Sequence, residues 1–375
     1  MKTIRGGTVL TPSGPTTGHV HIADGKLVSL VSDGSSIDVT DHTVSPGFID
    51  IQVNGGWGHD FSADPSTIWQ VGQRLPETGV TSFVPTIITS PYEVYEEAAN
   101  LFNSGPPDGY VGAEAIGLHF EGPWISPDWS GAHNPAHLRL PDIDVAQRWV
   151  ASGAVSMVTI APELEGADDV ARLLADAGVV VSAGHSGADH QTASTALAGS
   201  WSAVTHLYNQ MSPFNHRQPG MVGAALTSNA LCGLIVDGLH SDPSALQLAW
   251  NELGPDRTIL ITDAMQATGL GPGTYLLGDR EVVVGPEGPR TAEGRLAGST
   301  LTMDKAVSNM AKWTTASLEE AIVSATASPA DLLGLDDRGR LEKGLRGDLV
   351  ILDEDNLVAM TVVAGDIVFE RPPSP

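Results

Sequence analysis

The chain is poor in the features that mark secreted, membrane-bound or nucleic-acid-binding proteins. It has one cysteine in 375 residues, Cys232, which excludes an internal disulfide framework and fits a reducing compartment. Cys232 lies in the apolar run ALCGLIV and reads as an inert core thiol. No run of about 18 apolar residues occurs, so no membrane span is expected. The opening residues MKTIRGGTVLTPSG lack the apolar core of a secretory signal. These features together lead us to expect a cytoplasmic protein. Basic residues are also scarce, with 19 Lys and Arg against 45 Asp and Glu, a formal charge of −26. That balance excludes nucleic acid or an anionic membrane as the main partner. An anionic substrate would have to be held by a few local positive groups. No Gly-x-Gly-x-x-Gly opens a helix after the first apolar run, which removes support for a dinucleotide-binding sheet.

What is present is a β-rich beginning, a β-rich end and an alternating middle. Residues 1–44 break into short β-prone pieces, KTIRGGTVL, TGHVHIADGKLVSLVSDG and SIDVTDHTV. Residues 341–375 contain two more, around Leu349–Leu352 and Thr361–Val363, with AGD as a turn; the terminal RPPSP reads as frayed. The two ends are expected to pair into one small β-sandwich domain, with a barrel occupying 45–340 between them. Eight apolar runs of strand character punctuate the middle: 47–54, 80–88, 115–121, 155–163, 179–186, 202–209, 232–238 and 258–264. Helical stretches separate them, among them DDVARLLADAG and SALQLAWNELG, each stopped by glycine. Eight such units over this length predict a (β/α)8 TIM-type barrel, with an ordinary doubly wound sheet as the competing fold. The Gly-rich stretch 268–298, containing REVVVG, reads as a β-hairpin excursion, either a lid or a long loop.

Active sites of such barrels form at the C-terminal ends of the strands. Those ends carry Gln52 and Asn54, His119 and Glu121, His185, His206, Asp237 with His240 beyond it, and Asp263. Two imidazoles and a carboxylate suit a divalent ion of borderline softness, zinc first and iron or another ion next, with a position left for water. Water so held acidifies to a pKa near ~7. A free carboxylate, Asp263, can take its proton and return it to a leaving group. His119 is a candidate supporting residue, and Asp237 in DGLH is the weakest candidate, a turn-shaping residue.

The motifs PGFIDIQVNG, GLHFEGPWIS, GAHNP, AGHS, THLYNQM, RQPG, DGLH, ITDAM and LAGSTLTM occur in that order. Over about 47–305 the chain resembles the N-acetylglucosamine-6-phosphate deacetylases of the amidohydrolase superfamily, and its β-rich ends resemble that family's small domain. The resemblance implies an enzyme that hydrolyses the acetamido group of a phosphosugar to glucosamine 6-phosphate and acetate, in amino-sugar catabolism or cell-wall recycling. It implies one divalent metal per chain on Glu121, His185 and His206, with Asp263 as general base and acid and His133 polarising the acetyl carbonyl. Asn209, Gln210, Arg217, His240 and the backbone of Ala132, with Gly122 nearby, match positions that hold sugar and phosphate. It further implies a homodimer in which a partner chain approaches the phosphate. Gln210 departs from the family, which commonly has a small residue there, and His216 is an extra basic group. Two-metal relatives carry His-x-His on the first strand and often a lysine on the fourth. Here Gln52 and Asn54 occupy those histidine positions and VSMVTIAPE has no lysine. Amides are poor zinc ligands beside imidazole but good neutral hydrogen-bonders. Gln52 and Asn54 are therefore expected to fill a vacant second-metal position, directly or through water.

Overall fold

The computed structural model of the protein describes residues 2–29 and 36–372. The end of the VSLVSDG segment and the last three residues of RPPSP lie outside them. All eight expected barrel strands form, at Phe48–Val53, Val80–Ile88, Leu118–Glu121, Val155–Ile160, Val180–Ala183, Ala203–Val204, Leu231–Leu234 and Thr258–Leu260. They pair in parallel in chain order, with the two-residue strand Glu114–Ala115 added beside the second. Every residue of Val80–Ile88 is buried, as a parallel strand covered on both faces requires. The ring closes between its first and last strands through Asp263 N–H to Gln52 O at 3.0 Å and Asn54 N–H to Ala264 O at 2.8 Å. Below these bonds the Asp50 carboxylate replaces part of the ladder, its Oδ2 accepting from Thr262 Oγ1 at 2.5 Å.

Helices separate most strands, and one segment differs from expectation. The helix after the seventh strand starts at Pro243 and breaks, as expected, at Gly254, whose φ of 62° and ψ of −173° are not helical; a further short turn runs on to Arg257. The excursion at 268–298 is a three-stranded antiparallel sheet, Gly273–Leu277, Arg280–Gly285 and Gly288–Thr291, where the sequence suggested a two-stranded hairpin. Its Leu277 and Val282 pack with Ile88, Ala132, Met265, Ala267 and Ala297 on the barrel rim.

The termini form a separate eight-stranded sheet. Strand Thr43–Pro46 joins it and pairs antiparallel with Leu349–Leu352, so the sheet extends through Pro46. The period of two in LVIL divides that strand between two cores. Leu349 and Ile351 face the terminal domain's own core with Ile4, Val20 and Val44, while Val350 and Leu352 join the barrel core.

The third barrel strand is held from outside by aromatic packing. Phe120 meets Trp149 at 4.8 Å and Tyr95 at 4.7 Å between ring centroids, and Trp149 stacks on Trp124 at 4.4 Å. Phe120 faces outward, so its neighbours His119 and Glu121 face inward. Phe120→Ala should cost roughly 3–5 kcal/mol by leaving a cavity there. Denaturant unfolding would check this; a loss under about 1 kcal/mol would mean that the cluster collapses around the smaller side chain.

Candidate active site

Three side chains from different strands converge where the barrel opens. His185 Nε2 and His206 Nε2 lie 3.2 and 3.1 Å from Glu121 Oε1, and 3.0 Å from each other. All three residues are buried. The backbones of His185, His206 and Asp263 have φ of 48°, 30° and 50°. Non-glycine residues rarely adopt that left-handed region, and such strain gathers at functional sites. It turns each side chain over the mouth of the barrel just past its strand.

The hydrogen-bond chemistry of this cluster fits a cation. His185 Nδ1 is 2.9 Å from the Trp129 carbonyl, which can only accept, so Nδ1 carries the proton. With Nδ1 committed to that carbonyl, Nε2 is the ring atom that faces a carboxylate oxygen and a second imidazole nitrogen. Acceptors facing acceptors in a buried place repel unless a proton or a metal ion lies between them. Ligand atoms around a tetrahedral zinc lie roughly 3.3 Å apart, close to the separations here. Glu121, His185 and His206 can therefore hold a divalent metal. Burial alone would raise the Glu121 pKa, but the two imidazoles beside it hold its carboxyl well below the usual range.

Gln52 and Asn54 stand beside this triad and act as hydrogen-bond donors. Gln52 Nε2 donates to Glu121 Oε1 at 3.0 Å and to Asp263 Oδ1 at 3.2 Å, and Asn54 Nδ2 donates to Asp263 Oδ1 at 2.7 Å. The amides reach both carboxylates directly. Burial, reinforced by the charge of Glu121, raises the Asp263 carboxyl to about 6. A base poised there is ionised at neutral pH yet still basic enough to take a proton.

His133 packs on His185 with ring centroids 4.4 Å apart. Its Nδ1 faces Thr89, 2.8 Å from Oγ1 and 3.4 Å from the backbone N–H. The backbone N–H can only donate, so Nδ1 accepts and the Nε2–H remains to donate into the site. Burial, with the neighbouring His185, lowers the His133 pKa to about 3, so the ring is neutral. His240 Nδ1 donates to Asp237 Oδ2 at 2.7 Å, which orients its ring; Asp237 also accepts the backbone N–H groups of Leu239 and His240. Asp237 thus both shapes its turn and fixes His240.

One cavity of about 240 Å³ collects these groups. Glu121, His185, His206, Asp263, Asn54, His133, Ala132, Asn209, Gln210 and His240 all line it. Gln210, with φ of 48°, brings its side chain over Gly131, where an added Cβ would stand 2.9 Å from Gln210 Cγ. Arg217 does not reach the cavity within the chain. Reciprocal backbone bonds between Asn215 and Gln218 close a turn that leaves Arg217 and His216 exposed. His119 is deeper in the barrel, 2.8 Å from Thr159 Oγ1, at one end of a hydroxyl chain through Thr205 and Ser182. It makes no hydrogen bond to the triad. Leu277, Arg290 and Arg295 also line the cavity. Sequence reasoning missed them because 268–298 gave no register. The available signal was two arginines in PRTAEGR, close before the AGS motif.

Asp50 lies buried below the site, and burial raises its carboxyl to about 7. Its pKa is higher in the folded than in the unfolded chain, so the native state binds the proton more tightly. Its contribution is full below the ordinary carboxylate range and is lost as pH rises through about 7. Asp50→Asn should therefore gain stability relative to wild type between pH 5 and 8. Melting curves across that range check this; parallel pH profiles would contradict it.

A (β/α)8 barrel with a terminal β domain and this strand-end triad defines a metal-dependent hydrolase of the amidohydrolase type. The chain belongs to the amidohydrolase family, whose model matches residues 43–368. Within it the chain falls among the N-acetylglucosamine-6-phosphate deacetylases, being 39% identical to the Bos taurus protein of that name over 98% of this chain and 91% of the relative. It is 36% identical to N-acetylgalactosamine-6-phosphate deacetylase of Shewanella, over 97% of this chain and 95% of that one. Among solved structures it resembles a Mycobacterium smegmatis N-acetyl-D-glucosamine-6-phosphate deacetylase mutant in complex with N-acetyl-D-glucosamine-6-phosphate, with a TM-score of 0.89, 32% identity and 98% of each chain covered.

Proposed function

We propose that this chain hydrolyses the acetamido group of N-acetylglucosamine 6-phosphate to acetate and glucosamine 6-phosphate, serving amino-sugar catabolism or cell-wall recycling. The observation that carries this is the meeting of Glu121, His185, His206, Asp263 and His133 in one cavity of a chain from this family. Glu121, His185 and His206 would hold a divalent cation, zinc by the chemistry of the donor set, which would supply Lewis acidity to the carbonyl and acidify water. The neutral His133 donates its Nε2–H to the oxygen on which charge develops, an effect worth roughly 2.7–4 kcal/mol per donor in related sites. Asp263 takes a proton from the attacking water and delivers it to the nitrogen as the C–N bond breaks, so the amine leaves neutral. Gln52 and Asn54 hold Asp263 ionised and aimed, in the place where a two-metal enzyme would carry a second cation. Asn209, Gln210, His240 and the backbone of Ala132 bind the sugar.

Arg217 would reach a phosphate only across a subunit contact. An exposed Phe214 beside it supports a homodimer in which its turn faces the partner. The division into a terminal domain of 1–44 with 341–375 and a barrel of 45–340 draws support from the separate core of the terminal sheet, whose strand Thr43–Pro46 carries the first limit on to Pro46. The single cysteine supports a cytoplasmic location. None of the described helices is long and apolar enough to cross a membrane.

A substrate panel tests the reading. N-acetylglucosamine 6-phosphate should be hydrolysed with higher kcat/KM than the unphosphorylated sugar. Equal efficiency on both would remove the phosphate from the proposal. Including the C4 epimer, N-acetylgalactosamine 6-phosphate, decides between the two activities named in the relatives.

A further inference from the structure

The three-stranded rim sheet and the turn after it reach the loop that carries His133 and hold that loop on both sides of the histidine. Before His133, Arg295 Nη1 donates to Gly131 O at 3.1 Å. The Ala132 side chain packs in one cluster with Leu277 and Val282 of the sheet. After His133, Asn134 Nδ2 donates to Asp279 Oδ2 at 2.6 Å, and His137 Nε2 donates to the same oxygen at 3.0 Å. Asn134 is set for this contact from within its own loop. Its Oδ1 accepts the Ala136 N–H at 3.0 Å, so its NH2 group turns to the rim. Residues 131, 132 and 134 are thus tied to the rim, and His133 between them faces the site.

The sheet is itself anchored where it meets the barrel. Gly278, beside Asp279, donates its N–H to Asp60 Oδ2 at 3.1 Å. Asp60 is buried and also accepts the N–H groups of Ser62 and Ala63 at 3.0 and 2.8 Å. Gly278 has φ of 60° and lies so close to the second barrel strand that an added Cβ would stand 3.1 Å from Ile88 Cδ1. Leu276 N–H donates to Gln266 Oε1 at 2.6 Å, and Gln266 Nε2 donates to Gly58 O at 3.0 Å. The turn that carries Asp279 is therefore fixed from the barrel side. His133 is held within the site at Nδ1, by Thr89. A ring held at one atom still swings with its backbone, so the aim of Nε2 depends on where the loop sits.

We propose that Asp279 is a positioning residue for His133, and that the rim sheet is the brace through which it acts. This rests on the role of His133 in the hydrolytic function proposed above. The Asp279 side chain is half exposed, and it lies outside the residues that line the cavity. It acts through Asn134 and the loop, without touching the substrate. Exposed polar and charged pairs stabilise a fold little, so the chain should stay folded without this carboxylate. A hydrogen-bond donor aimed at a developing oxyanion is far more sensitive, since a misplacement of about 1 Å can cost about a hundredfold in rate.

The test measures kcat and KM on N-acetylglucosamine 6-phosphate for zinc-loaded wild type, D279A, D279N and E281A, with D279A also placed in an H133A background. D279A should lower kcat roughly ten- to a hundredfold while KM moves less than about threefold. D279N keeps an oxygen that accepts from Asn134 and should recover most of the loss. E281A removes an exposed acid of the same sheet and should match wild type. In the H133A background D279A should cost less than about twofold more, since the group it positions is gone. If D279A does not fold, N134S keeps an acceptor for the Ala136 N–H, gives up the reach to Asp279 and carries the same comparison. A wild-type kcat in D279A, or the same fold-loss with and without His133, would overturn the proposal. The imidazole nitrogen NMR signals of zinc-loaded protein with isotope-labelled histidine give a reading independent of turnover, those of His133 being assigned by their loss in H133A. In D279A they should shift or broaden while those of His240 hold; unmoved His133 signals would overturn the proposal. Should wild type hydrolyse no acetamido sugar, the functional reading fails by itself, and the nitrogen signals alone decide whether Asp279 positions His133.

Discussion

Asp263→Asn should lower kcat by roughly 10²- to 10⁴-fold while the protein stays folded and keeps its metal. The reason is geometric and chemical together. The Asp263 carboxylate is fixed by two amide donors at 2.7 and 3.2 Å. Asparagine fills the same space, but its amide cannot take a proton from water and return it to nitrogen. The wild-type kcat/KM should rise with pH, because the base acts in its ionised form. The midpoint should lie at or below about 6, the value to which burial raises Asp263, since a cation in the triad favours the ionised form. Near-normal turnover by the asparagine variant would remove Asp263 from the mechanism. Loss of metal in that variant would instead make it a ligand.

Glu121→Gln should have an effect as large, through binding. Glu121 Oε1 is the atom on which His185, His206 and Gln52 converge. The substitution removes the one negative charge of the triad and leaves a poor amide ligand beside two imidazoles. Metal affinity should fall more than about a hundredfold, beyond the effect of losing a supporting partner to a ligand. Titration with zinc should raise the wild-type melting temperature and leave that of the variant nearly unchanged at the same concentration. Equal zinc stabilisation of both proteins would place the metal elsewhere.

Much of this was legible in the sequence because barrel strands are read one at a time. An apolar run ending in a polar ligand-type residue identifies both the strand and the end that opens on the cavity, as at Glu121, His185 and His206. The readings that depended on side-chain direction across the ring were less accessible. Gln52 and Asn54 were expected to fill a second-metal place, but their bonds to Asp263 arise only when the first strand meets the last. Arg217 stood within a familiar motif, and a local turn carries it away from the cavity. Arg290 and Arg295 carried no periodic pattern, since the last strand of the rim sheet and the turn after it position them. The left-handed backbones at His185, His206 and Asp263 have no signature in residue type, for none is glycine.

We propose one metal per chain, held by Glu121, His185 and His206, with neutral amides in place of a second. Metal stoichiometry measured alongside deacetylase activity tests it most directly. Activity should vanish with chelation, return with the first equivalent of metal per chain and gain nothing from a second. Full activity in metal-free protein, or two tightly bound ions per chain at full activity, would contradict it.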